Sequence, residues 1–195
     1  CFARSIQSNA AFAEPWNNQA ISLAAILKYN EALICCDNAI AIRKNFFEAY
    51  NNKGDILRKL NRNEEALKCY NESILINAET DNAPAYTKRG DLLCDLEKHD
   101  DGISSYDQAI KIRKNFIEAW CNKILALNKI KKYTEALDTC NEALKINDKL
   151  GELWVNKALL LINMENFKEA LEACNIALTI NENLREAWNN KGLAE

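Results

Sequence analysis

A single period organises this chain. A tract opening at Ala13 recurs in spacing and residue type from Phe47, Ala83, Ile117 and Gly151, and begins again at Arg185. Each opening follows the last by 34 residues, apart from a two-residue excess near Thr80 to Asn82. Self-similarity at such a period points to an array of small supersecondary units in place of a fold with one central core. The excess falls between repeats, where added loop length has little thermodynamic effect.

Counting places from each opening, the fourth is always a large aromatic: Trp16, Tyr50, Tyr86, Trp120, Trp154 and Trp188. The eighth is small at Ala20, Gly54, Gly90, Ala158 and Gly192, with Ile124 the exception, and the eleventh is Leu23, Leu57, Leu93, Leu127 and Leu161. Spacings of three, four and seven put these on one face of a helix. A second stripe follows in Ala32, Ala66, Gly102, Ala136 and Ala170, then Cys36, Tyr70, Tyr106, Cys140 and Cys174, then Ala39, Ser73, Ala109, Ala143 and Ala177. Each unit is therefore predicted to be a helical hairpin. A hairpin cannot cover its own apolar face, so neighbours must stack. The five glycines and two prolines leave few turns for an all-β fold. Pro15 and Pro84 both fall in the opening turn of a first helix, where a missing N–H is harmless.

The pattern W/Y-x-x-x-G/A-x-x-L, then Ala, then an aromatic or Cys, then Ala, in units of 34, resembles the tetratricopeptide repeat. The resemblance covers essentially the whole chain and implies an all-α, right-handed α-solenoid of tandem helix-turn-helix hairpins. It sets the expected repeats at 13–46, 47–82, 83–116, 117–150 and 151–184, in one continuous solenoid. Residues 1–12 align with the second helix of a preceding repeat and 185–195 with the first helix of a sixth. A fragment with such ends is expected to associate end to end through exposed apolar faces. One departure is the proline that the family often places near the end of the second helix; Lys44, Ala78, Lys114, Asp148 and Glu182 stand there. The RNA-reading pentatricopeptide repeat is close in period but fits the acidic balance and helix pattern poorly.

A net charge of −3 without basic blocks excludes a phosphate-binding footprint, so no nucleic acid is expected. No apolar stretch approaches bilayer length, and no membrane association is expected. Of the eight cysteines, Cys35 and Cys69, and again Cys140 and Cys174, are 34 residues apart. They follow the repeat, and no CxxC pair occurs, so free thiols in a reducing, cytoplasmic setting are expected and no metal site or cofactor. The one histidine, His99, lies in a charged run and is placed at the start of a second helix; without a usable base, a phosphate loop or a convergent carboxylate pair, no enzyme is expected.

On a helical wheel the second, sixth, ninth and thirteenth places lie opposite the aromatic stripe. The resemblance implies that this face lines a concave groove. Its sixth place carries Asn18, Asn52, Asn122, Asn156 and Asn190, with Lys88 in the third repeat. An amide offers a donor and an acceptor and so can pair with any peptide backbone. Layers about 8–10 Å apart match three residues of extended chain at about 3.3 Å each. The row is similar to the asparagine ladder in the tetratricopeptide arms of O-linked N-acetylglucosamine transferase and kinesin light chain; Asn is also a common choice at such a place. The ninth place adds Asp55, Leu125, Leu159 and Leu193, and the second adds Glu14, Glu48, Glu118, Glu152 and Glu186, which also suit helix N-termini. The expected function is a scaffold that grips an extended, neutral to basic protein or peptide segment with an apolar portion. The alternative is a self-associating structural array with no groove ligand. The Lys and Asn trio with which some members of the family clamp a C-terminal carboxylate is not matched.

Overall fold

The computed structural model describes residues 12–77 and 81–195. The segment read as the second helix of a preceding repeat lies, but for Phe12, outside them. The described residues form eleven α-helices and no strand. First helices are α1 (Ala13–Ala25), α3 (Phe47–Lys59), α5 (Ala83–Asp95), α7 (Ile117–Lys129), α9 (Gly151–Asn163) and α11 (Arg185–Ala194). Second helices are α2 (Tyr29–Ile42), α4 (Asn63–Ile76), α6 (His99–Ile112), α8 (Tyr133–Ile146) and α10 (Phe167–Ile180). The fold is all-α, as the periodicity requires.

The turn inside each hairpin is built the same way. Leu27, Asn61, Glu97, Lys131 and Glu165 adopt left-handed backbone, with φ between 58° and 62°, and none is glycine. In each, the N–H of the next residue reaches back to the carbonyl of the eleventh-place leucine, as in Lys28 to Leu23 (2.9 Å), Lys132 to Leu127 (2.9 Å) and Asn166 to Leu161 (2.8 Å). This is the six-to-one bond of a Schellman cap, which satisfies a carbonyl that the ending helix leaves unpaired. The loops ahead of the fourth, fifth and sixth repeats are tied by Trp120, Trp154 and Trp188. Their Nε1–H groups donate to the carbonyls of Lys114, Asp148 and Glu182, six residues earlier, at 2.8, 2.8 and 2.9 Å.

The chain divides into two compact units, residues up to Leu92 and residues from Leu93, the division falling within α5. In the first, α1 packs on α2, α2 on α3, α3 on α4, and the first helices α1 and α3 adjoin. A cluster of Ala13, Ala39, Phe46 and Ala49, flanked by Trp16, seals the layer junction. In the second unit, α7, α9 and α11 adjoin in order, with α8 and α10 behind them. Its core joins Trp120, Ile124, Leu127, Cys140, Leu153 and Leu160, continuing through Ala158, Leu161, Ala170 and Cys174. Alanines at the stripe places are 0% exposed at Ala32, Ala66, Ala136 and Ala170, so helix backbones meet across them.

The eighth and twenty-fourth places trade volume. Tyr70, fully buried, lies against Gly54, where a Cβ would come within 2.5 Å of Cε1. Where the eighth place carries a side chain, as in Ala20, Ile124 and Ala158, the twenty-fourth is cysteine: Cys36, Cys140 and Cys174. Burial pushes the Cys36 and Cys140 thiols from the ordinary 9.0 up to about 12.

Candidate functional site

Helix stacking sets first helices side by side within each unit, α1 against α3 in the first and α7, α9 and α11 in the second. The neighbouring first helix decides what the sixth place can do. In the first unit Asn18 is exposed, but Asn52 is half-buried and donates through Nδ2 to Oδ1 of Asn17 on the preceding first helix, at 2.9 Å. Lys88, which replaces the amide in the third repeat, reaches back in the same direction and pairs with Asp55 Oδ2. Asp55 also accepts from the Tyr70 hydroxyl at 2.8 Å. Burial, followed by the adjacent Asp55 carboxylate, raises the Tyr70 phenol well above its ordinary value. Asp55 and Lys88 thus spend their charges on each other.

In the second unit the amide row divides. Asn190 is buried and donates to the backbone carbonyl of Val155 at 3.3 Å. Asn122 and Asn156 are half-buried. The ninth-place leucines lie on the three adjoining first helices α7, α9 and α11: Leu159 is half-buried, whereas Leu125 and Leu193 are 46% and 59% exposed. At the second place Glu118, Glu152 and Glu186 are exposed on the same helices. Cys121, one turn along from Glu118, has its thiol pushed up to about 11 by burial and then by the carboxylates of Glu152 and Glu118. The adjoining helices α7, α9 and α11 thus carry Leu125, Leu159 and Leu193, the half-buried Asn122 and Asn156, and the exposed Glu118, Glu152 and Glu186. Asn18, Asn52, Asp55 and Lys88 belong to the first unit.

A single-helix wheel holds no adjoining layer, which is why it placed the whole sixth-place row on an open face. It also missed Asn17, a fifth-place residue that stacking buries, although the Asn17-Asn18 doublet flags an amide available on each side of the ridge. His99 opens α6, half-buried, with its Nδ1 unpartnered among the described residues. No group of three or more His, Cys, Asp or Glu side chains gathers as metal ligands among the described residues. No described helix is long and apolar enough to cross a membrane.

Sequence models of the tetratricopeptide repeat match residues 47–79, 83–116, 117–150 and 151–184. The chain belongs to the tetratricopeptide repeat family. Among curated proteins no sequence match is found. Solved structures resembling this tetratricopeptide array include YrrB, a TPR protein with an unusual peptide-binding site, at 21% identity and TM-score 0.70, covering 98% of each chain. PilF of Pseudomonas aeruginosa matches at 12% identity and TM-score 0.75, covering 96% of this chain and 89% of its own. MamA from Desulfovibrio magneticus matches at 13% identity and TM-score 0.72, covering 89% and 97%. At these identities the shared property is the fold. Stacked tetratricopeptide hairpins are a scaffold for protein–protein interaction.

Proposed function

We propose that the first-helix face of the second unit holds an extended segment of a protein partner, with Leu125, Leu159 and Leu193 receiving its apolar side chains. The observation that carries this reading is that those leucines fall one per layer on adjoining first helices, two of them exposed. The ninth place elsewhere carries Ile21, Asp55 and Asp91, and exposed apolar side chains on adjoining helices mark a contact surface. Covering one such leucine contributes about 1.5–3 kcal/mol, whereas an amide rung contributes about 1 kcal/mol net. Leucines supply the affinity here, and Asn156 fixes the backbone register. Glu118, Glu152 and Glu186 favour a neutral or basic segment. YrrB, with its peptide-binding site, supports the same use of the fold.

The test is affinity selection of displayed random peptides on the intact chain, followed by titration of the selected peptides against variants. Leu125→Asp with Leu193→Asp should weaken them at least tenfold, and Asn156→Ala about fivefold, the equivalent of about 1 kcal/mol, with helicity unchanged. Peptides that bind the double aspartate variant as tightly as the original chain would rule the leucine face out. The self-association reading rests on Trp188, which is 55% exposed. It predicts that Trp188→Ala lowers the sedimenting mass while peptide binding is retained.

A further inference from the structure

If Leu125, Leu159 and Leu193 receive a partner, as proposed above, their spacing selects its backbone conformation. The three stand 34 residues apart, at the same place of three successive repeats, so they recur once per layer. These layers are in direct contact. Asn163 on α9 donates to the Asn128 side chain on α7 at 2.8 Å, and Asn190 on α11 donates to the Val155 carbonyl on α9 at 3.3 Å. Helices packed this closely have axes about 8–10 Å apart. Each leucine follows an asparagine by three residues and a glutamate by seven, so the three residue types share one stripe of their helix.

A segment that meets all three leucines must return a side chain to the same face at every layer. A β-strand does not. Its side chains alternate, so residues three apart, spanning about 10 Å, point to opposite faces, and residues two apart span only about 6.6 Å. An α-helix returns a side chain after seven residues, about 10.5 Å, but its backbone groups are already bonded internally. It has nothing to offer the amide of Asn156, half-buried three residues from Leu159 on the same helix. A polyproline II helix repeats every three residues at a rise of about 3.1 Å, which gives about 9.3 Å per turn, and its backbone makes no internal hydrogen bonds. Its carbonyls can accept from Asn156 while every third side chain falls on a leucine. One of the two remaining ridges faces the N-terminal ends of the helices, where Glu118, Glu152 and Glu186 are exposed and favour cations. We infer that the second unit recognises a proline-rich polyproline II segment with an apolar residue at every third position and basic residues between.

Labelled synthetic peptides titrated into the intact chain and followed by fluorescence anisotropy test the period. The probe is three Leu-Pro-Lys triplets. One control holds the same residues with leucine and lysine alternating ahead of the prolines. A second sets three leucines seven residues apart in an alanine- and lysine-rich helix, and a third replaces the lysines of the triplets by glutamate. The triplet peptide should bind at least tenfold more tightly than each control. Leu125→Asp with Leu193→Asp should weaken it at least tenfold, with helicity unchanged by circular dichroism. Replacing the middle leucine of the peptide by alanine should cost less affinity in Leu159→Ala than in the original chain, since those two side chains meet. The assignment is overturned if any control binds as tightly as the triplets, if the triplets do not bind, or if the double aspartate variant holds them unchanged. Such results leave the leucine face itself standing as long as the peptides selected by display lose affinity in that variant; only retention of their binding there removes the face.

Discussion

Gly54→Ala isolates the volume trade between the two helices of a hairpin. The new Cβ would lie 2.5 Å from Tyr70 Cε1, 2.9 Å from Cδ1 and 3.0 Å from Cζ. Carbon atoms rest at about 3.5–4.0 Å, so the overlap is about 1 Å. The ring has nowhere to go, being fully buried and held through its hydroxyl to Asp55 at 2.8 Å. Overpacking of this kind costs about 1–3 kcal/mol, and a held ring belongs in the upper half of that range. Alanine in a helix interior recovers about 1 kcal/mol of propensity, so the net loss is about 1–2 kcal/mol. Tyr70→Cys imports the residue found at the same place in the first, fourth and fifth repeats. It is costly alone, about 3–5 kcal/mol by comparison with other aromatic truncations. In that background Gly54→Ala should change sign and stabilise, giving a coupling of about 2–3 kcal/mol in a double-mutant cycle read by urea unfolding. If Gly54→Ala shifts the midpoint equally in both backgrounds, the ring is not what excludes the methyl group and the reasoning fails.

The buried thiols predict an alkaline weakness. Unfolded cysteines lose their protons near pH 9, whereas Cys36 and Cys140 in the fold hold theirs to about 12. The native state therefore binds more protons in that window, and stability present below pH 9 falls as pH rises, by up to about 1.4 kcal/mol per pH unit for each thiol. Urea midpoints between pH 8 and 10.5 should fall, and fall less steeply in Cys36→Ala with Cys140→Ala; equal slopes would contradict this. Lys88→Met should cost no more than about 1 kcal/mol, because the Lys88 and Asp55 side chains are 36% and 38% exposed and water screens the pair. Its effect should shrink in 1 M salt, and a loss that is indifferent to salt would show that packing of the lysine stem, not charge, joins those layers.

The hairpin fold was legible because the same constraint is written several times over. Leu23, Leu57, Leu93, Leu127 and Leu161 could hardly share one place unless a helix buried them all alike. The open face was less legible because what covers a side chain there comes from the next layer, 34 or 35 residues away. Asn18, Asn52 and Asn190 read identically in sequence, yet one is exposed, one bridges to Asn17 and one is buried against Val155. The ninth-place leucines were visible as a pattern, but their relative exposure was not.

The reversals at Leu27, Asn61, Glu97, Lys131 and Glu165 carry one more implication. Left-handed backbone is disfavoured for residues with a Cβ by about 1–2 kcal/mol, yet these five side chains have little in common. What directs the bend is the carbonyl of the leucine four residues earlier, which accepts the N–H of the residue after the bend. Identity at the bend is thus free to drift, and a glycine placed there would relax each hairpin independently. The array keeps an untapped reserve of stability, one increment per repeat, at the turns inside its hairpins.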